Sequence, residues 1–384
     1  MNRKIRMKNA FSEHVNLVLG GDNLLVMQEL PDESVDAAPF DPPFNSKKQY
    51  NVQYKNRKER SVTAEAAFTD SWVWTSKTDE AMARFKDSRR PLHDHLAMVA
   101  ATFGRGYMGA YLVMMAERLI EIHRILKPTG SIFVHCDSTA NSYIRILLDL
   151  IFGPRNFRSE IIWRSHDSHN DRSGYGKQSK TIAIGRQHDV IYWYSKTDAV
   201  KRNDVFLPYS AERLADFKHV DGNGLPYELH SLSPPRGNRN PIFEFCGVTK
   251  EWPYSRETIV DMFANGEVVL NSKGTPSKKT YIGRGCPLQD LWTDILPAGK
   301  NPSERTGYDT QKPVALVKRM LELTTDPGDL VIDPFCGCGT TIIAAQEMGR
   351  RWIGIDISEK AIDIQVMRLE AMIPRPIFKV RTIK

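Results

Sequence analysis

The chain has 384 residues, of which 41% are hydrophobic, and carries a net charge of +7. This length is enough for a sizeable core and predicts two domains, or one domain with a large insertion. No run of about 18 apolar residues occurs and the first residues lack an apolar signal stretch, so we expect a cytoplasmic protein without a membrane span.

The five cysteines do not form a pattern typical of a metal site. Cys336 and Cys338 are separated by a single residue, closer than the usual zinc-binding spacing, and the other three cysteines are isolated. We therefore predict reduced thiols and no metal. The excess of positive charge favours a polyanionic partner, although lysines and arginines are scattered along the chain.

The first predicted elements are a strand over residues 16–22 and an amphipathic helix over residues 24–30, which ends before Pro31. Asp22 lies in the turn between them. As a residue type, an aspartate at this place is a common turn former.

A second predicted strand begins at residue 35 and ends in the loop Asp41-Pro42-Pro43-Phe44. The two prolines fix φ and remove two backbone donors, which leaves carbonyl acceptors beside a carboxylate and an aromatic ring. Such a loop suits a planar amino group, because Asp41 and the Pro42 carbonyl can accept its two N–H bonds while Phe44 stacks on its ring. As an isolated motif, Asp-Pro-Pro also forms ordinary turns. Pro39 removes a ladder donor, so we expect this strand to be irregular.

Residues 45–105 are polar, basic and aromatic without a clear period, which predicts a long loop with helical pieces. The loop either closes over a substrate and contacts phosphates or is simply solvated. A helix over 107–126, a strand over 131–137 and a helix over 140–152 follow. Strands that alternate with helices predict a mainly parallel sheet covered on both faces. His135 and Asp137 end a strand of that sheet, where ligands bind in such folds, and rank below Asp41 as candidates.

From residue 159 onward Gly and Pro become frequent, the predicted strands are short, and the alternation of strands with helices disappears. Basic and aromatic residues interleave here, which is typical of a module that contacts a polyanion and reads base edges. We place this module at residues 159–299, between the two halves, 1–158 and 300–384, of one catalytic domain.

The C-terminal part contains a strand, a glycine turn (Phe335-Cys336-Gly337-Cys338-Gly339), a helix, and a second strand that ends on Asp356. These are the parts of a nucleotide-binding βαβ unit, in which glycines allow close approach and the carboxylate can hold ribose hydroxyls. The pyrophosphate fingerprint G-x-G-x-x-G is not met, which favours a nucleoside ligand such as S-adenosylmethionine; the alternative is an ordinary tight turn. The candidate contacts are Asp333, Pro334, Phe335, Gly337, Gly339, Thr340 and Asp356.

The acceptor loop at Asp41, the segment Gln311-Lys312-Pro313 and the glycine turn occur in the order of a known family. Together they resemble the β class of amino-methylating DNA methyltransferases, the N6-adenine and N4-cytosine family, whose order is circularly permuted. The resemblance covers the N-terminal half and the residues from about 300 onward. It implies a Rossmann-like methyltransferase fold with a mainly parallel, doubly wound sheet and an inserted target-recognition module.

The same resemblance implies S-adenosylmethionine as the methyl donor, with Asp22 near its adenine and Lys312 paired with its carboxylate. It implies that an adenine is flipped out of double-stranded DNA and methylated directly on N6, with Asp41, Pro42, Pro43 and Phe44 as the catalytic loop. A solitary or simple restriction-modification enzyme on the nucleoid is then expected, and members of the family often dimerise.

Three alternatives stay open at this point. In the first alternative the methyl acceptor is cytosine N4, although aspartate in the first motif position favours adenine over cytosine. In the second the substrate is a protein glutamine or an RNA. In the third the chain is a DNA-binding protein without activity. Cytosine ring-carbon methylation is disfavoured, because no cysteine follows a proline as that chemistry usually requires.

Overall fold

The computed structural model describes residues 16–43, 49–55, 62–69, 72–166, 186–234, 240–298, 304–308 and 310–383, with backbone only at 49–55 and 62–69. The chain divides into two compact units, Met1–Asn203 with Gln289–Lys384, and Asp204–Leu288.

The strands of the first unit are β1 (Asn16–Gly20), β2 (Val35–Phe40), β3 (Gln49–Lys55), β4 (Val62–Thr69), β5 (Leu126–Cys136), β6 (Phe157–Trp163) and β7 (Asp189–Ser195). Those of the second unit are β8 (Phe206–Leu207), β9 (His219–Val220), β10 (Pro226–Ser231), β11 (Ile242–Phe245), β12 (Val248–Glu251), β13 (Val268–Leu270), β14 (Pro276–Tyr281) and β15 (Cys286–Pro287). The first unit resumes with β16 (Leu291–Trp292), β17 (Leu330–Asp333), β18 (Arg351–Asp356) and β19 (Phe378–Thr382).

The helices are α1 (Asn23–Gln28), α2 (Ser76–Ser88), α3 (Arg90–Phe103), α4 (Tyr107–Ile125), α5 (Asn141–Phe152), α6 (Ala211–Leu214), α7 (Arg256–Ala264), α8 (Val314–Thr324), α9 (Thr340–Glu347) and α10 (Glu359–Glu370), with a 3₁₀ turn at Pro154–Asn156. Among the helices in the described ranges, none has both the length and the apolar character needed to cross a bilayer.

The first unit is built on a nine-stranded sheet in the order β16-β6-β7-β5-β2-β17-β18-β1-β19. β7 runs antiparallel to both of its neighbours, and all other pairs are parallel. Every residue of β2 and β17 is buried, which requires cover on both faces of the sheet. The predicted Rossmann-like fold with a mainly parallel, doubly wound sheet is therefore confirmed.

The irregularity expected in β2 is present. Its register against β5 shifts between Val35 and Ala37, and its ladder with β17 consists of the single pair Val331–Ala37. Pro39 lies beyond that pair and has no N–H to extend the ladder.

The prediction of a long loop over residues 45–105 is wrong in part. β3 and β4 form an antiparallel hairpin, and α2 and α3 are well-formed helices. The period that the sequence analysis missed is visible in α3, where Leu92, Leu96 and Val99 are buried at spacings of four and three. Those spacings were obscured in the sequence because apolar residues, among them Met98 and Phe103, also lie on the exposed side of the helix.

The second unit contains a four-stranded antiparallel sheet, β13-β14-β10-β9, and the hairpin β11–β12. Its core is formed by Leu232, Trp252, Ile259, Met262 and Val268. This unit lies inside the segment 159–299, whereas β6, β7 and β16 from the same segment belong to the large sheet of the first unit. The assignment of 159–299 as a recognition module stays a prediction.

Candidate active site

Four parallel strands, β1, β2, β17 and β18, end at one edge of the large sheet beside a cavity of about 480 Å³. This volume is typical of small-molecule sites, and the carboxyl edge of a parallel sheet is where such sites form. The candidate residues that line it are Asp22, Asp41, Pro42, Pro43, Lys312, Asp333, Pro334, Phe335, Gly337, Thr340 and Asp356. The two distant motifs thus share one cavity, whereas Phe44 lies outside the described residues.

The acceptor loop places a carboxylate between two cationic groups. Asp41 Oδ1 is 2.7 Å from His135 Nδ1, and Asp41 Oδ2 accepts a hydrogen bond from Lys312 Nζ. Burial acts to raise the pKa of Asp41, but the positive charges of Lys312 and His135 outweigh it and hold the pKa below its usual value. Asp41 is therefore an anion at neutral pH, and its oxygens are hydrogen-bond acceptors.

Lys312 contacts the loop at Asp41, which was not predicted from the sequence. Its ammonium donates hydrogen bonds to Asp41 and, at 3.2 Å, to the Thr310 carbonyl. Its pairing with the carboxylate of a methyl donor stays a prediction.

His135 is buried at the end of β5, with 3% of its surface exposed, and bridges two carboxylates. Its Nε2 lies 3.3 Å from Asp189 Oδ2, and its ring meets the Trp163 ring edge-on at 5.8 Å. Asp189 begins β7, and because β7 is antiparallel its first residue lies at the edge where the parallel strands end. Asp189 is not among the residues predicted from the sequence, and His135 ranked below Asp41 there, because nothing in the sequence marks β7 as antiparallel.

The glycine turn is supported by two carboxyl groups, one buried (Asp333) and one partly buried (Asp356), that accept hydrogen bonds from backbone amides. Asp356 Oδ2 accepts from the Gly337 N–H at 2.8 Å and Oδ1 accepts from the Ser358 N–H at 2.9 Å. Asp333 Oδ1 accepts from the Phe335 N–H at 2.9 Å. Burial raises the pKa of Asp356 despite these amide bonds, and it raises the pKa of Asp333 to about 7.

Gly337 and Gly339 have different roles in this turn. Both have positive φ, +52° and +85°, which favours glycine. Gly337 lines the cavity, and a Cβ there would lie 3.3 Å from the Tyr308 ring. Gly339 is not among the lining residues; it begins α9 and faces Gln365, whose side chain would lie 2.9 Å from an added Cβ. Gly339 therefore packs against Gln365 in the structure, and its contact with a ligand stays a prediction.

Asp22 lies in a polar network that the sequence analysis did not predict. It caps α1 through the Leu24 N–H at 2.9 Å and accepts from Arg118 Nη2 at 3.0 Å. Arg118 Nε also donates to Asn23 Oδ1 at 2.7 Å, and the Asn23 amide donates to the Pro334 carbonyl at 2.7 Å. The network joins α4 to the glycine turn. The available signal was an arginine beside the apolar stripe of the predicted helix.

Within the described part of the chain, no group of three or more His, Cys, Asp or Glu side chains is arranged to hold a metal ion. Cys336 and Cys338 are both buried, and burial raises the pKa of the Cys336 thiol.

The sequence of the chain is similar to those of DNA-modifying enzymes. A family model described as DNA methylase matches residues 35–367. The type II methyltransferase M.EcaI of Enterobacter cloacae is 33% identical over 258 residues, which cover 65% of this chain and 55% of that protein. The type III restriction-modification enzyme StyLTI Mod subunit of Salmonella typhimurium is 24% identical, covering 87% of this chain and 50% of that protein. The DNA adenine methyltransferase YhdJ of Escherichia coli is 22% identical, covering 94% of this chain and 84% of that protein.

Among solved structures, the PvuII DNA methyltransferase (cytosine-N4-specific) has a TM-score of 0.48 at 15% identity, covering 92% of this chain and 86% of that chain. The chain spans about half the length of the first two relatives. The family model, in contrast, matches from β2 through most of α10. The chain therefore belongs to the DNA methylase family of N6 and N4 amino-methyltransferases.

Proposed function

We propose that this chain is a site-specific DNA methyltransferase that transfers a methyl group from S-adenosylmethionine to the exocyclic N6 of adenine in double-stranded DNA. The observation that supports the proposal most strongly is the shared cavity, in which the Asp41 carboxylate and the turn at Gly337 lie at the same sheet edge. Aspartate at the first position of the acceptor motif favours adenine over cytosine. The relative YhdJ, named a DNA adenine methyltransferase, agrees with that choice.

The glycine turn fits a nucleoside better than a phosphate. Three of its amides already donate inside the protein: Cys336 to the Ile355 carbonyl, Gly337 to Asp356 and Gly339 to the Cys336 carbonyl. A phosphate site needs such amides directed at the ligand. A carboxylate has about four acceptor positions, so Asp356, which accepts from two amides and lines the cavity, can also accept ribose hydroxyls.

S-adenosylmethionine, when bound, supplies an electrophilic methyl group on a sulfonium. We assign its ribose to Asp356, its adenine to the neighbourhood of Asp22 and its methionine carboxylate to Lys312. Phe335, Pro334, Asp333, Gly337 and Thr340 complete the wall of this part of the cavity.

The acceptor end of the cavity, formed by the loop at Asp41 with His135 and Lys312, stabilises positive charge on an amino group. The lone pair of an exocyclic amine is delocalised into the base, so the nitrogen is a poor nucleophile. Asp41 and the Pro42 carbonyl accept hydrogen bonds from its two N–H groups and favour a pyramidal nitrogen. Because positive charge grows on the nitrogen during transfer, a fixed anion such as Asp41 binds the transition state more tightly than the ground state. Reaching this site requires the base to leave the stack, at a cost of a few kcal/mol.

The remaining assignments extend the same proposal to the DNA and the assembly. We assign target recognition to residues 159–299, stacking on the base to Phe44, and the place of action to the nucleoid in the cytoplasm. Residues 204–288 carry ten lysines and arginines against ten aspartates and glutamates, so the net charge of +7 comes from the rest of the chain. Non-specific attraction of DNA is therefore assigned to the first unit. Homodimerisation is a further prediction, and sedimentation velocity tests it.

Expression in a host without DNA methylation tests the proposed function. Genomic DNA is sequenced by a modification-sensitive long-read method and also hydrolysed to nucleosides for mass spectrometry. N6-methyladenine at one short sequence, absent when Asp41→Ala is expressed, is the expected result. N4-methylcytosine would overturn the adenine assignment, and unmodified DNA in the presence of folded protein would overturn the activity.

A further inference from the structure

His135 lies between two carboxyl groups, those of Asp41 and Asp189. An ionised carboxylate accepts hydrogen bonds and has no hydrogen to donate. Its Nδ1 is 2.7 Å from Asp41 Oδ1 and its Nε2 is 3.3 Å from Asp189 Oδ2. A neutral imidazole carries hydrogen on one ring nitrogen, so it could donate to one of these carboxylates and would face the other with a lone pair. Two ionised carboxylates on opposite sides of the ring favour an imidazolium, which donates a hydrogen bond to Asp41 at Nδ1 and forms an ion pair with Asp189 at Nε2.

The charged groups around His135 alternate in sign. Lys312 pairs with Asp41 on one side, and Arg186 lies 3.5 Å from Asp189 Oδ1 on the other. The order Lys312, Asp41, His135, Asp189, Arg186 thus alternates cation and anion.

Other neighbours complete the surroundings of the ring. The Trp163 ring meets it edge-on, and Asp137 lies 3.5 Å from Arg186 at the outer end of the series. The thiol of Cys136, the next residue along the chain, has a pKa that burial and the nearby carboxylates raise.

The two partners of Asp41 differ in their freedom to move. His135 belongs to β5 in the interior of the sheet, and its side chain is 4% exposed. Lys312 lies in the loop before α8, its side chain is 17% exposed, and its stem is long and flexible. His135 can therefore hold Asp41 Oδ1 rigidly, whereas a shift of Lys312 would free Oδ2.

We propose that His135, held in place by Asp189, is a positioning residue that fixes the Asp41 carboxylate through Oδ1 and directs Oδ2 at the amino group to be methylated. The inference rests on the proposed function of Asp41. It assigns the two oxygens different roles and requires the ring to be protonated during transfer.

The requirement for a protonated ring predicts a specific pH dependence. Burial acts to lower the pKa of His135, but the charges and hydrogen bonds of Asp41 and Asp189 outweigh it and raise the pKa above its usual value. Methyl transfer should decline as the pH rises through this raised pKa. Asp189→Asn keeps the shape but removes one negative charge, so the decline should begin at lower pH.

The test uses the full chain, tritiated methyl donor and genomic DNA from a methylation-free host. His135→Ala should lower kcat by ~10²-fold, because a misplaced catalytic group costs about that much, while donor affinity measured by calorimetry is unchanged. His135→Asn carries an amide donor near the position of Nδ1 and should recover about tenfold of that loss. Asp189→Asn should move the alkaline limb of the pH profile by about one unit towards lower pH. Asp149→Asn, which changes a carboxylate bonded to Tyr194 at 2.6 Å, is the matched control and should change neither quantity.

A His135→Ala enzyme with wild-type kcat, or an Asp189→Asn enzyme with an unmoved alkaline limb, would overturn the inference. If His135→Ala does not fold, as judged by circular dichroism, the nearly isosteric His135→Asn and Asp189→Asn variants decide. Asp41→Ala separates the two proposals. Full activity of Asp41→Ala removes Asp41, and with it His135, from the mechanism but leaves the methyltransferase activity standing. Loss of activity in Asp41→Ala with normal His135 and Asp189 variants removes only the role of His135, whereas a folded wild-type protein that leaves DNA unmodified removes the proposed function itself.

Discussion

The two ends of the cavity use the same residue type in opposite electrostatic settings. At the acceptor end, Asp41 is paired with His135 and Lys312, which keep its pKa low. The donor end of the cavity is formed by the glycine turn with Asp333 and Asp356. Both carboxyl groups accept hydrogen bonds from backbone amides there, and burial raises the pKa of each. Asp333 is buried and the other two carboxyl groups are partly buried at strand ends, so burial alone does not decide whether they are charged. The neighbouring cations do.

This difference matches the role proposed for each end of the cavity. An anion with fixed orientation favours a nitrogen on which positive charge develops. A carboxyl group that accepts hydrogen bonds from the amides of a turn stabilises the backbone of that turn. We therefore expect substitutions at the acceptor end to act mainly on the rate of transfer, and those at the donor end to act mainly on stability and donor affinity.

Asp41→Ala should separate the two ends most clearly. It removes the anion of the acceptor end, so the rate of methyl transfer to DNA should fall by ~10³-fold or more. The affinity for S-adenosylmethionine, measured by calorimetry, should change by less than about twofold, which corresponds to ~0.4 kcal/mol. Labelled methyl transfer provides the rate. Wild-type turnover in this variant would remove Asp41 from the mechanism, and a large loss of donor affinity would show that the two ends are not independent.

Asp333→Asn should change stability in a pH-dependent way. The pKa of Asp333 is raised to about 7 in the folded protein from an unfolded value of 3.8. The folded state therefore disfavours the ionised form, and this penalty is absent below pH 3.8, grows up to pH 7 and is constant above it. Asparagine cannot ionise and keeps an acceptor for the Phe335 N–H. At pH 8 the variant should be more stable than the wild type by up to about 4 kcal/mol.

The gain from Asp333→Asn should shrink as the pH is lowered from 7 to 4. Denaturant unfolding at several pH values measures it. The matched control is Asp363→Asn on the exposed side of α10, for which we expect a difference near zero at every pH. A gain from Asp333→Asn that does not depend on pH would contradict the assignment of a raised pKa.

Asp356→Ala should weaken donor binding by about 10–100-fold, because hydrogen bonds to a charged group contribute roughly 1.5–3 kcal/mol. It also leaves the Gly337 and Ser358 amides without their acceptor, so stability should fall at the same time. Asp356→Asn retains one acceptor oxygen and should show a smaller loss of affinity. Calorimetry with S-adenosylmethionine checks both, with Asp363→Ala as the control. Unchanged affinity in Asp356→Ala would contradict the assignment of the ribose to this carboxylate.

The elements that the sequence predicted well are those with a local cause. α4 and α5 have apolar periods and sequence punctuation, and their observed bounds differ from the predicted ones, 107–126 and 140–152, by at most one residue at either end. The parallel sheet followed from the alternation of strands with helices. The pair of motifs around Asp41 and Gly337 followed from residue chemistry and order along the chain.

The features that the sequence did not reveal depend on contacts between distant segments. Asp189 reaches His135 because β7 is antiparallel, and Arg118 reaches Asp22 because α4 packs against α1. Spacing in the sequence carries no record of these two pairings. The hairpin of β3 and β4 is different, because β3 reads Gln-Tyr-Asn-Val-Gln-Tyr-Lys, an alternation typical of a strand that the prediction of a loop overlooked.

Gly339→Ala should have the smallest effect, and it tests whether the donor end depends on its backbone. A non-glycine residue at φ +85° costs about 1–2 kcal/mol, and the added Cβ would lie 2.9 Å from Gln365 Cγ. Gln365 cannot easily move away, because it is fully buried and its amide donates to the Gly337 carbonyl at 2.9 Å. Gly349→Ala is the matched control, since its φ is +71° and its nearest neighbour is 3.9 Å away. Denaturant unfolding should show Gly339→Ala to be less stable than Gly349→Ala by about 1 kcal/mol, a typical cost of overpacking, with donor affinity lowered only in Gly339→Ala. Equal losses would mean that the left-handed backbone alone explains the glycine, and that the contact between Gln365 and the turn does not shape the donor end.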